Sequence, residues 1–161
     1  MNIYFVTVPK RYLEFQGSGT ATNKKQKGDF VMNTIIKYMY RNGANWKNSQ
    51  DAILSGTLTE DQKKAIENAC KGSEYFIPRQ VNLPEGRLGE ITEDDHAWFE
   101  LLSIEDTYEK PTESITADEL YQNFMEVKGN WNETAWLEDL DEEEKARVIG
   151  QYEMDNEIDE R

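Results

Sequence analysis

DFVMNTIIKYMYRNG, residues 29 to 43, is the stretch whose period decides the architecture. Read at helical spacing, Phe30, Ile35, Tyr38 and Met39, with Val31 and Ile36 beside them, form an apolar face, and Asn42-Gly43 is a stop signal. The spacing predicts an amphipathic helix there. Upstream, NIYFVTV (residues 2 to 8) is β-branched and aromatic, ends at Pro9 and reads as a central strand. The polar run GSGTATNKKQKGD (residues 17 to 29) has no apolar anchor and reads as a loop.

Downstream, Thr59-Glu-Asp-Gln62 has the form of a capping box and predicts a helix running to about Lys71, with Gly72 supplying a left-handed stop. EYFIPRQVNLPEGRLGEI holds two prolines and two glycines between short β-prone pieces, so one or two strands with turns are expected. Thr92-Glu-Asp-Asp95 can start a helix through HAWFELL, but Phe99, Leu101 and Leu102 leading into SIEDTYE also fit a strand. A second capping box, Thr116-Ala-Asp-Glu119, is followed by Leu120, Phe124 and Val127 at helical spacing up to Gly129. Asn132 can cap a short helix carrying Trp136 and Leu137, and DEEEKARVIGQYEM suits a last helix with Val148, Ile149 and Tyr152 as its stripe. Strands come early and helices late, which points to an α+β fold: a small N-terminal β-sheet element with a helix-rich, acidic C-terminal half. No repeat or long linker divides the 161 residues, so one domain is expected, with residues 155 to 161 as a fraying tail.

Aliphatic residues are sparse, but 11% of the chain is aromatic, so the core should be built on rings. The only cysteine, Cys70, excludes an intrachain disulfide and a cysteine-based zinc site. With no signal-like or membrane-length apolar run, a cytoplasmic protein is expected, with no membrane contact.

Candidate chemical sites are weak. The lysines Lys24, Lys25 and Lys27 lie in the glycine-bearing loop, whose spacing departs from G-x-x-x-x-G-K-[ST] and which does not open directly onto a helix. His96 has Asp94, Asp95 and Glu100 close in sequence, but it is the only histidine, and carboxylates at a helix start have a simpler role at the dipole. Cys70 sits beside Lys71 on a segment with Ala65, Ile66 and Ala69, and a small buried hydrophobe is the expected role. Of the four tryptophans, Trp131 in the polar turn GNWNE is the one expected on the surface, as an anchor for a protein partner. No catalytic, cofactor-binding or metal-binding residue is assigned.

Charge is the strongest signal. The net charge is −14, and it is polarised: residues 1 to 50 balance at +6, residues 51 to 100 at −6 and residues 101 to 161 at −14. Two acidic tracts stand out, Glu93 to Glu126 at −10 and Glu138 to Glu160 at −9. Drawn as a helix, the second carries about one net charge per 4 Å, against one per about 1.7 Å for duplex DNA. One row is too dilute to imitate DNA; two side by side come close. In charge and size alone the chain is similar to small phage or mobile-element inhibitors that imitate DNA, including antirestriction and anti-CRISPR proteins, a group defined by surface and not by motif. That resemblance implies no residue roles.

The expectation is therefore a non-enzymatic inhibitor whose acidic face blocks the basic channel of a nucleic-acid-processing enzyme, without contacting nucleic acid itself. The residues expected to meet that partner are Glu93, Asp94 and Asp95 in one row, Glu138, Asp139, Asp141, Glu142, Glu143 and Glu144 in the other, and Trp131. Two other readings stay open. One is a small enzyme using paired carboxylates on a cationic or nucleotide-like metabolite. The other is a basic N-terminal nucleic-acid contact blocked by the acidic half.

Overall fold

A computed structural model describes residues 30–87 and 89–158, with residues 151–158 as backbone only. The strand expected at residues 2 to 8 and the loop at 17 to 29, with its lysines, lie outside the described residues. The fold is α+β, and its centre is the stretch quoted above, which is a strand. β1 (Asn33–Arg41) forms a hairpin with β2 (Lys47–Leu54), pairing from Thr34 opposite Leu54 to Arg41 opposite Lys47. The expected helix fails because the buried set alternates: Thr34, Ile36, Tyr38 and Tyr40 are each at most 1% exposed. That is the two-residue period of a strand, in a β-branched and aromatic segment. Tyr40, outside the helical set, is the residue that distinguishes the periods. Asn42-Gly43, expected to stop a helix, opens the hairpin turn, where Asn45 takes a positive φ of 67°.

β3 (Tyr75–Phe76) and β4 (Phe99–Thr107) complete an antiparallel sheet of order β2-β1-β4-β3. The HAWFELL segment is thus resolved as a strand from Phe99. Between Lys37 and Tyr38 the register with β4 shifts, since Tyr38 faces Leu101 and Lys37 faces Ser103. Leu102 is the extra residue of this bulge and is 52% exposed.

Both capping boxes form as expected. Thr59 opens α1 (Glu60–Ala69) and Thr116 opens α2 (Ala117–Val127); in each, the threonine oxygen accepts from the third helical N–H while Gln62 or Glu119 returns the bond. The expected stop at Gly72 has a φ of 62°. Pro78–Val81 and Ala135–Asp139 are short 3-10 turns, and α3 (Glu142–Ile158) closes the described chain. The Ala135–Asp139 turn takes the place of the helix expected around Trp136.

One sheet face carries the core: Ile36, Tyr38, Tyr40, Leu54, Phe76 and Phe99 lie against Ile66 of α1 and Leu120 and Phe124 of α2. Each such side chain contributes roughly 2 kcal/mol by leaving water. As expected from composition, rings dominate. They run in contact from Tyr40 through Phe99, Tyr38, Phe76, Phe124 and Trp131 to Trp98, with centroid separations between 5.0 and 6.2 Å. A second cluster of Ile77, Ala97, Trp136 and Val148 seats the Ala135–Asp139 turn and α3 beside it.

Along β2 a strap binds the outer edge. Thr112 and Glu113 donate their N–H groups to Ile53 O, and Ile53 N–H donates to Thr112 Oγ1. The loop between β3 and β4 is held at Gly86, which exchanges bonds with Gln50 at 2.9 and 3.0 Å. A Cβ at Gly86 would lie 2.8 Å from the Gln50 side chain, so a larger residue would push that amide out of its present position.

Candidate functional site: an acidic face around alpha3

The 3-10 turn Ala135–Asp139, the start of α3 and the loop at residues 89–95 meet on one side of the second cluster. Ile91, Leu137 and Leu140 pack against that cluster. Arg147 of α3 joins them by donating from Nη1 to Ile91 O at 3.2 Å and from Nη2 to Glu143 Oε1 at 2.6 Å. The hydrogen bond to Glu143 and that carboxylate's charge, and then the charges of Glu90 and Asp141, raise the pKa of Arg147. Glu90, just ahead of the first acidic tract, and Asp141 and Glu143 of the second therefore act on one guanidinium.

Not every expected contact residue is available. Asp95 is 5% exposed. Its Oδ1 accepts from the Tyr40 hydroxyl and its Oδ2 from Thr92 N–H at 2.8 Å. The Thr92–Asp95 segment consequently closes as a turn instead of starting a helix, because its last carboxylate is turned inward. Glu93 and Asp94 project from that turn into solvent with no ion pair among the described residues.

In the second set, Glu138 is likewise exposed and without an ion pair among the described residues. Asp139 is exposed but bound by Arg79 Nη1 at 2.7 Å. Glu142 pairs with Lys145 at 3.0 Å and Glu143 with Arg147. Asp141 and Glu144 hold the helix start itself. Asp141 Oδ1 accepts from the N–H groups of Glu143 and Glu144, while Glu144 Oε2 accepts from Asp141 N–H. This is a third capping box, and removing it would loosen α3. The residues from 138 to 144 thus form a knot at a helix start, where the dipole favours negative charge, and not a row along a helix.

Trp131, expected on the surface, is instead half-buried. Its ring meets Phe124 and Trp98, and its Nε1 donates to Ala69 O at 3.0 Å. The exposed indole is Trp46, at 68%. It lies in a hairpin turn whose reading as a helix end gave no reason to place a side chain outward.

The other singled-out residues have structural roles. Cys70 is buried, which pushes its thiol pKa up to about 12. His96 meets Tyr40 edge-on and accepts at Nδ1 from Trp98 N–H; burial, then the Arg87 guanidinium, lower its pKa. Arg87 carries no signal in the sequence. Its guanidinium lies 4.8 Å from the Tyr40 ring centroid, 5.3 Å from Phe99 and 4.5 Å from Trp136, and donates to His96 O. It ties the two clusters together.

Residues 30 to 150 hold 25 Asp or Glu against 12 Lys or Arg. Ion pairs among the described residues engage nine of those acids and eight of the cations. Among the described residues sixteen carboxylates and four lysines of this range stand outside these pairs, so pairing within the described part leaves a strong excess of negative charge. Among the described residues, no group of three or more His, Cys, Asp or Glu could hold a metal ion, and no helix is long and apolar enough to cross a membrane.

No protein-family model matches the chain, and neither the curated proteins nor the solved structures contain a significant match to it.

Proposed function

We propose that this chain is a non-enzymatic inhibitor, of the antirestriction or anti-CRISPR kind, whose acidic face imitates a nucleic-acid backbone and blocks the basic channel of a nucleic-acid-processing enzyme. The observation that supports the reading is the bond from Arg147 to Ile91 O, which ties α3 to the loop at residues 89–95 and leaves Glu90, Asp141 and Glu143 acting on one guanidinium. The two segments are more than forty residues apart in sequence, and each carries exposed carboxylates. Such a surface steers a cationic partner inward and loses its hold as salt rises.

The test uses the purified chain as bait in host-cell lysate. A nucleic-acid enzyme should be retained at low salt and released both by high salt and by added duplex DNA. The variant Glu93→Lys/Glu138→Lys reverses two charges that serve neither a cap nor an ion pair among the described residues. It should lose the enzyme while melting at an unchanged temperature. Retention by the variant equal to that of the parent would overturn the reading.

A further inference from the structure

Beside the second cluster lies a cavity of about 420 Å³, within the range of small-ligand sites. Trp98 and Trp131 wall it, their rings 6.2 Å apart and inclined at 65°, and both indoles rest on the cluster that seats α3. Trp98 Nε1 donates to Glu133 Oε2 at 2.9 Å, which fixes a carboxylate at the edge of that indole. An indole face and a carboxylate together are a receptor for a cation. The chain's own Lys71 already occupies that position, with its Nζ 4.5 Å from the Trp98 ring centroid and 3.9 Å from Glu133 Oε2.

Lys71 is a loose occupant. Its side chain is 62% exposed, and the ion pair is near the limit of contact. The nearby Lys128, at the C-cap of α2, has its own explanation at the negative end of a helix dipole. A planar guanidinium stacks on indole and grips a carboxylate with two parallel donors, which an ammonium cannot do.

We infer that the Trp98–Trp131–Glu133 cavity receives an arginine side chain of the basic partner, in exchange for Lys71. The inference rests on the acidic-face reading, because it takes a cationic protein surface as the source of that arginine. It adds a point of geometric recognition to an otherwise diffuse electrostatic contact.

The experiment follows the indole N–H signals of the full chain by NMR, assigned by single Trp→Phe substitutions, during titration with a short blocked peptide holding one arginine among glycines. The Trp98 and Trp131 signals should move with arginine, less with lysine and not with citrulline. Lys71→Ala should tighten the arginine peptide about threefold by vacating the site, and Glu133→Gln should weaken it about fivefold. Weaker binding by Lys71→Ala would overturn the proposal, as would movement of these signals by inorganic phosphate or AMP in place of arginine. If the peptide moves both signals but no nucleic-acid enzyme is retained from lysate, the cavity stands and the acidic-face reading fails. A salt-sensitive enzyme partner with both signals unmoved by the peptide overturns the cavity alone.

Discussion

Tyr40→Phe removes one oxygen atom from the core, and the structure sets what that should cost. The hydroxyl donates to the buried Asp95 carboxylate and accepts from His96 N–H at 3.2 Å. Without it, Asp95 keeps only its Thr92 donors on the other oxygen, and the His96 amide loses its acceptor. A hydrogen bond to a charged group contributes roughly 1.5–3 kcal/mol, and an orphaned buried donor costs roughly 1–3 kcal/mol. The two losses share one atom and are not independent, so about 3 kcal/mol is expected together. For a domain of this size that lowers the melting temperature by about 9 °C. The assay is thermal unfolding of Tyr40→Phe, Asp95→Asn and the double variant. With a neutral amide at position 95 there is no buried charge to strand, so Tyr40→Phe should cost about half as much there. A melting temperature unchanged in Tyr40→Phe, or an equal loss in both backgrounds, would refute the assignment of this pair as the anchor of the Thr92–Asp95 turn.

Two further outcomes follow from buried titratable groups. The folded-state pKa of His96 is lowered, so between pH 6.5 and its lower folded value the unfolded chain binds the extra proton; stability held above that window should fall as pH drops through it. Replacing His96 with Gln should flatten this part of the curve measured by denaturant unfolding, and an unchanged slope would remove the histidine from the account. Cys70, with its thiol pushed up to about 12 and its Sγ directed at Ile66 O, should react with a thiol reagent at neutral pH orders of magnitude more slowly in the native chain than in denaturant.

Local chemistry was legible in the sequence, and long-range partnership was not. The boxes at Thr59 and Thr116 were readable because a cap is decided within four residues. The box at Asp141 and Glu144 carries the same signal but was hidden by its neighbours, since in a run of four acids the capping pair looks like more of the same surface. In β1 the apolar residues are so dense that both periods fit, and only pairing with β2 and β4 selects the strand. Asp95 resembled Glu93 and Asp94 until Tyr40, 55 positions earlier, turned it inward. Arg87 gave no local sign at all, because its three rings come from a strand on either side and a distant turn.

The edges of the sheet have a consequence for the chain in concentrated solution. An unpaired strand edge is a template on which other chains can polymerise. Along β2 the Thr112–Glu113 strap occupies the edge at Ile53, and Lys47 and Asp51 place opposite charges on the remainder. On the other side β3 is only two residues long, and where it ends β4 bends at Leu102 and continues with Glu105 and Asp106. A neighbouring chain would meet a kink and two carboxylates where it needed a straight ladder of amides. Among the described residues both edges of the sheet therefore carry features that disfavour the addition of a further strand.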